Sequence, residues 1–342
     1  MPWKKVIPSR CRPSTSISDI CVYWKRWLSV VFFVGVTDGG WFRYLAEQKP
    51  EEVNFWRPMA RQSFRAVPAG APFLFKLHKP NDYVVGGGFF TGYSRMPLTM
   101  AWEAFKQDNG APDYRSFRES IKRYRDSRRL PTQDPEIGCI ILNTPFFFEE
   151  DDWIPIPDDW APNIVQGRRY DSDEGLGADL WEQVAARLLS RPVIGSPLVA
   201  AEVRQAYGPV FGNQYLRTAR LGQGAFRLLT LENYGRKCCI TGESTLPVLE
   251  AAHIRPVTQE GNHDLRNGIT LRADMHILFD RGLLGIDPDY RIQVSGQIRD
   301  QYHNGQVYYV HEGEEMRSLP VDPSLRPDRE ALEWFMSEVF VA

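Results

Sequence analysis

Residues 249–256 read LEAAHIRP and residues 273–280 read ADMHILFD. The first is the end of an apolar, strand-like run, LPVLEAAHI (246–254), that delivers His253 at its C-terminal end, where a side chain can leave a sheet and enter a site. The second has helical character, and on a helix His276 and Asp280, four residues apart, share one face. Between them lie a polar loop, VTQEGNHDLRN (257–267), and GITL (268–271), long enough for a second short strand. A hairpin crossed by one helix then brings His253, Asn267 and His276 together.

Working upstream, FRLLTLENYG (226–235) reads as a helix closed by Gly235, with Arg236 and Lys237 after it. The run CCITG (238–242) reads as a strand joined to LPVLEAAHI through the turn GEST. Downstream, YRIQVSGQIRD (290–300) and GQVYYVHEGEEMRSLP (305–320) suggest strands, followed by a helix from near Pro327. On that helix Leu332, Phe335, Met336 and Val339 form one apolar face able to buttress the hairpin-and-helix unit.

The first half of the chain has a different texture. VVFFVGVTD from Val30, APFLFKL (71–77), YVVGGGFF (83–90) and EIGCIILNTPFFF (136–148) are β-branched and aromatic runs bounded by turn signals. Between them YRSFRESIKRYRDSRR (114–129) places Phe117, Ile121 and Tyr124 on one helical face. Its other face carries Arg115, Arg118, Lys122, Arg123 and further arginines, a pattern that suits either solvent or phosphate. The proline-broken acidic stretch EEDDWIPIPDDW (149–160) closes this half. LGADLWEQVAARLLS (176–190) has helical periodicity, and SRPVIGSP (190–197) then breaks the chain.

At 342 residues the chain exceeds one ordinary core, so two domains are expected. A net charge of −2 and a sequence pI near 6.3 do not mark the whole molecule as a nucleic-acid binder, which leaves that role to local patches. Five cysteines, none in a CxxC pair, exclude a disulfide scaffold and a four-cysteine zinc site and point to a reducing cytoplasm. No run is long and apolar enough to span a bilayer, so no membrane partner is expected. Residues 1–30 read as a poorly structured extension, with a natural start expected near Val30 or Val31.

The order AHI, then NGITL, then MHILFD resembles the HNH endonucleases, whose ββα-metal module builds a nuclease site from one hairpin and one helix. The resemblance covers roughly residues 235–285, and LGQGAFR (221–227) with CITGE (239–243) resembles the upstream portion of restriction endonucleases of this type. It implies phosphodiester hydrolysis with His253 as the general base, Asn267 orienting that imidazole through a hydrogen bond, and His276 as a metal ligand. In many HNH enzymes an aspartate precedes the base, and here that position is Ala252. Glu250, on the same strand face as Ala252, and Asp280 are the expected replacement ligands, with Asp274 a weaker choice. Mg2+ or Mn2+ suits an oxygen-rich set, and Zn2+ a histidine-containing one. His263 reads as a loop residue that caps a turn.

The stretch from FVGVTDGGWF (33–42) through VNFW (53–56) to YVVGGGFF resembles PUA-like modules, the superfamily of the EVE and SRA readers of modified bases, over roughly residues 31–165. That resemblance implies a pocket for a flipped base, with Trp41 and Trp56 stacking and Asn54 reading a base edge.

The expected architecture is α+β: an extension at 1–30, a strand-rich PUA-like domain at 31–175, a helical linker at 176–215, and a ββα-metal HNH nuclease domain with its buttress at 216–342. The expected function is a metal-dependent endonuclease on double-stranded DNA carrying 5-methyl- or 5-hydroxymethylcytosine, as in restriction of phage, with Arg123, Arg220 and Arg227 on phosphates. One such site cuts one strand, so a double-strand break calls for a homodimer or sequential action. Two other expectations stand beside it: an HNH nuclease controlled by another ligand or RNA, and a non-catalytic nucleic-acid-binding protein, motivated by Ala252.

Overall fold

The computed structural model describes residues 30–59, 63–125, 134–190, 221–259 and 261–342. The expected extension (apart from Val30), residues 191–215 of the expected linker, and Arg220 lie outside the described residues.

The apolar runs of the first half pair into one seven-stranded sheet. Its strands are β1 (Val31–Thr37), β2 (Glu52–Arg57), β3 (Pro72–Leu77), β4 (Tyr83–Pro97), β5 (Glu136–Phe147), β6 (Ile154–Pro155) and β7 (Gly167–Asp171). The order is β2-β5-β4-β3-β1-β7, with β6 on β4; β1 and β3 run parallel and the other pairs antiparallel. YVVGGGFF is the start of a strand nearly twice its length, and register shifts after Gly87 and Phe90 bend it across the sheet.

The turn signal TDGG both closes β1 and opens a helix. Asp38 Oδ1 accepts from the backbone N–H of Gly40 at 2.7 Å and of Trp41 at 3.2 Å, which caps α1 (Gly39–Gln48). Trp41, Phe42 and Leu45 of α1 pack on Phe55, Phe73 and Phe75 of one sheet face. The other face is covered by α4 (Gly175–Ser190), reached after α2 (Leu98–Phe105) and α3 (Tyr114–Arg123). Leu180, Trp181 and Val184 of α4 bury against Phe32 and Tyr170, so a segment expected as linker is part of the sheet's core.

In the second half α5 (Gln223–Asn233) leads into β8 (Leu249–His253), β9 (Gly268–Arg272) and α6 (Ala273–Asp280). The hairpin is β8 with β9, not CCITG with β8 as expected. Residues 238–242 instead form a tight turn, with Cys238 N donating to Glu243 O at 2.8 Å and Gly242 at φ 75°, a left-handed conformation that ends extended pairing.

Beyond α6, β10 (Leu284–Ile286) and β11 (Ile292–Val294) make a short antiparallel hairpin. GQVYYVHEGEEMRSLP was expected to be extended, but it holds a helical turn, Gln306–Tyr309, and irregular chain with a single β-bridge from Glu315 to Arg291. The last helix, α7 (Arg329–Glu338), lays Phe335 flat on Phe279 of α6, with ring centroids 4.0 Å apart, and buries Leu332 in the same core, as its apolar face led us to expect.

Helix α5 belongs to both cores. Its Leu231 packs with the β8–β9–α6 cluster, whereas its Ala225, Leu228 and Leu229 pack with Met96, Phe105 and Ile141 of the sheet domain.

Candidate active site and base pocket

Antiparallel pairing puts His253 opposite Gly268, at the end of the hairpin where the loop 254–267 opens. The imidazole lies flat on the Phe226 ring of α5, with centroids 4.0 Å apart and 11° between planes. On its other side His253 Nε2 is 3.0 Å from His263 Nδ1. Burial, then the neighbouring His263 and His276, push the His253 pKa down to about 4, against an opposing pull from Asp280. His253 is therefore neutral throughout the physiological range.

Asn267 is close by but does another job than the one expected. Its Oδ1 accepts from Arg255 N at 2.9 Å, and its Nδ2 donates to Arg255 O at 2.9 Å and Asn262 O at 2.8 Å. All three bonds go to main chain, so Asn267 clamps the two ends of the loop and does not hold the His253 ring. A short buried amide at the start of β9 reaches backbone across the loop mouth before it reaches the imidazole.

His276 projects from α6 toward β8. Glu250 Oε2 lies 2.6 Å from its Nδ1, and Asp280 Oδ1, one turn along α6, lies 3.4 Å from its Nε2. Burial works to lower the His276 pKa, but the hydrogen bonds its ring makes to the Asp280 and Glu250 carboxylates, with their charges, outweigh it and the net direction is upward. The two carboxylates thus occupy opposite ring nitrogens. An ion on Nε2 would take His276 and Asp280, with Glu250 holding the imidazole from behind, the familiar carboxylate–histidine–metal relay. The expected set of Glu250, His276 and Asp280 all on one ion does not fit this geometry, because Nδ1 and Nε2 point away from each other. Among the described residues no three His, Cys, Asp or Glu side chains stand together so as to hold a metal ion; an ion on His276 and Asp280 would need water or phosphate oxygens as further ligands.

Ala252 is fully buried in the module's core, while Glu250 is only partly buried and reaches His276. Sharing strand parity therefore does not give them a shared environment. Asp274 is tied to Arg272 at 2.6 Å and faces away from this role.

Residues 238–287 match the family model described as HNH endonuclease. This segment is an HNH endonuclease module. It contains the turn at Cys238, both hairpin strands and α6, and so all of His253, Asn267 and His276. The chain is a nuclease-type hydrolase of mixed α/β build, strand-rich in its first half, with the HNH module in its second. Solved structures with similarity include ASCH from Zymomonas mobilis, at 10% identity over 45% of this chain and 94% of that one, with a TM-score of 0.30. Another is the modification dependent TagI restriction endonuclease, at 13% identity over 90% of this chain and 81% of that one, with a TM-score of 0.25. Comparison with curated protein sequences gives no match. Among the described residues no helix is long and apolar enough to cross a membrane.

Upstream of the HNH module, the sheet domain holds a cavity of about 520 Å3, a size that suits a small ligand or a base. Trp41 and Trp56 both line it, beside Phe33, Phe55, Phe64 and Tyr124. Trp41 is 5% exposed and serves as floor, edge-on to Phe55 and Phe75. Trp56 is the more accessible wall, its Nε1 anchored on Asn109 O at 3.0 Å. Asn54 is not in the pocket. It is fully buried beneath the sheet, donating to Asn109 Oδ1 at 2.9 Å and Cys139 Sγ at 3.3 Å. Alternation along β2 puts it on the opposite face from Phe55 and on the same face as Trp56, which reaches the cavity near the strand's end.

Polar groups that sequence reading missed stand at the pocket instead. Asp38 Oδ2 accepts from Tyr124 OH at 2.8 Å, and His78 stacks on the Tyr124 ring at 6.0 Å. Arg123 is exposed on α3 and donates to Ser120 Oγ; it lies near enough to Asp38 to lower that carboxylate's pKa, although burial, the largest influence, opposes this. Arg227 is half-buried on α5.

The two sites share a physical connection. Glu52, on β2 with Phe55 and Trp56, reaches the start of α5, where its Oε1 accepts from Gly224 N at 2.7 Å and its Oε2 from Ala225 N at 2.8 Å. A Cβ on Gly222 would stand 2.3 Å from the Glu52 carboxyl carbon, so a side chain there would displace this carboxylate. Burial raises the Glu52 pKa to about 7 despite the two backbone donors. Two residues further along α5 is Phe226, under His253.

Proposed function

We propose that the protein is a metal-dependent DNA endonuclease that acts on DNA carrying modified cytosine, with the sheet domain as reader and the HNH module as cutter. The single observation that carries the nuclease half is His253 and His276 together on a ββα unit within a segment that matches HNH endonucleases. A divalent ion, Mg2+ or Mn2+ by the mixed nitrogen and oxygen donors, would supply charge stabilisation at the scissile phosphate. His276 and Asp280 would hold it, oriented by Glu250. His253, neutral at physiological pH, accepts the proton of the attacking water.

The reader half is supported by the cavity in the sheet domain. Its apolar walls from Trp41, Phe55, Trp56 and Tyr124 suit the faces of a flipped base, and Asp38, His78 and Gln166 supply donors and acceptors for its edge. Arg57 and Arg65 at the same pocket suit the flanking phosphates.

The test is cleavage of otherwise identical duplexes bearing cytosine, 5-methylcytosine or 5-hydroxymethylcytosine, with Mg2+ or Mn2+. Cutting confined to a modified duplex supports the whole reading. Equal cutting of all three removes the reader and keeps the nuclease, and cutting of RNA alone overturns the DNA assignment.

A further inference from the structure

We infer that His263 is the positioning residue of the nuclease centre: it accepts the Nε2–H of His253 and so leaves Nδ1 of His253 as the nitrogen that takes the proton from water. This rests on the reading of His253 as general base. It replaces the orienting role that Asn267 does not perform.

The geometry limits the alternatives. His253 Nε2 and His263 Nδ1 are 3.0 Å apart, so one of them carries the shared proton. A neutral imidazole has one N–H. If His263 donated, the single N–H of His253 would sit on Nδ1, and His253 would have no free lone pair with which to act as base. Only the arrangement with His253 as donor is compatible with catalysis. A shared ion is the other way to bring two imidazole nitrogens together, and the Mn2+ affinity of the His263 variants separates the two.

The surroundings are built to hold this pair. Phe226 stacks on His253 and also touches the His263 ring, at 5.5 Å between centroids. Just before His263 the chain is tied by Asn267 Nδ2 to Asn262 O at 2.8 Å. Just after it, Asp264 N donates to Asn262 Oδ1 at 3.0 Å, and Asp264 Oδ1 accepts from Arg266 N at 2.8 Å. The loop that Asn267 clamps is thus the one that presents His263. The charged and titratable groups that act on the pair are His276 and Asp280 on His253, and Glu51 of the sheet domain on His263.

The experiment compares wild type with His263→Ala and His263→Asn, the second placing an Oδ1 acceptor where Nδ1 stands. Cleavage kinetics on the preferred duplex, Mn2+ affinity and the imidazole nitrogen spectra of histidine-labelled protein are read together. We expect His263→Ala to lower kcat by about 10- to 100-fold with KM little changed, as loss of an orienting partner does. The acid limb of its kcat profile should move up toward the ordinary histidine value. His263→Asn should recover most of the rate, Mn2+ affinity should stay within about twofold of wild type in both, and wild-type His253 should show the Nε2–H tautomer.

A folded His263→Ala with wild-type kcat, an Asn variant as impaired as Ala, an Nδ1–H tautomer at His253, or parallel loss of Mn2+ binding would each overturn the inference, the last by making His263 a ligand. If wild type cuts no nucleic acid, the endonuclease reading fails by itself, and the nitrogen spectra still decide the pairing.

Discussion

At the scale of single residues, His276 held between two carboxylates makes its substitutions distinguishable. With Asp280 on the Nε2 side and Glu250 on Nδ1, His276→Ala and Asp280→Ala should abolish Mn2+ binding. Glu250→Ala should weaken it by only about 10- to 100-fold, because it removes the group behind the ligand and not the ligand. Calorimetric titration of the folded variants checks this, and equal losses for Glu250 and Asp280 would return Glu250 to the ion itself. The depressed pKa of His253, about 4, fixes a pH dependence. A base must be deprotonated to act, so lowering its pKa extends activity to lower pH. The kcat/KM profile should show no His253 limb near 6.5 and should fall only as pH approaches the lowered value.

His253 and His276 were legible because each sits in a short pattern that sets its own geometry, a strand end and a helix face. His263 was not. It is ten residues from His253 in sequence, and it meets His253 through a loop whose closure depends on Asn267, Asn262 and Asp264 acting together. Asn54 failed for a simpler reason. It shares a strand face with Trp56, which reaches the cavity near the end of β2, but its short amide is spent beneath the sheet on Asn109 and Cys139.

At the scale of elements, α5 is the joint between the two halves, and Glu52 fastens its first turn. Because burial raises the Glu52 pKa from 4.5 to about 7, the folded protein binds this proton more tightly than the unfolded chain does. The contribution of Glu52 to stability therefore declines as pH rises from about 4.5 through about 7, as the buried carboxyl becomes charged. Glu52→Gln lacks that titration, so the melting temperature of wild type relative to Glu52→Gln should fall between pH 5 and pH 8. A difference that is flat or rising with pH would mean that the two backbone donors outweigh burial.

Most elements could be read from periodicity and turn chemistry, including α7 with its face of Leu332 and Phe335. CCITG misled because buried cysteines and isoleucine look like a strand, whereas Gly242 in a left-handed conformation and the Cys238–Glu243 hydrogen bond fold it back on itself. The stretch 305–320 misled because Val307 and Val310, residues that suit a strand, stand exposed on and after a helical turn while Tyr308 and Tyr309 pack against the module's core.

At the scale of the whole molecule, the nearly neutral charge concealed two separate sites, an aromatic-lined cavity in one half and a histidine-carboxylate centre in the other. Two domains were legible from length and texture. That α4 closes the first core and α5 serves both was not, because each depends on contacts between distant segments that no local pattern encodes. The division of labour predicts separable losses. Trp56→Ala should weaken binding of the modified duplex by about 5- to 100-fold, the range that one lost base–aromatic stack allows, while leaving Mn2+ affinity unchanged. Competition binding with modified and plain duplexes would show it, and undiminished discrimination would remove Trp56 from the pocket.

The most direct measurement of the central claim is metal-dependent cleavage by wild type, His253→Ala and His276→Ala on one modified duplex, with Mn2+ binding measured on the same samples. The account predicts that both variants lose cleavage by at least about 100-fold, the scale of one general base, and that His253→Ala still binds Mn2+ whereas His276→Ala does not. A His253→Ala protein that cuts at the wild-type rate would contradict it.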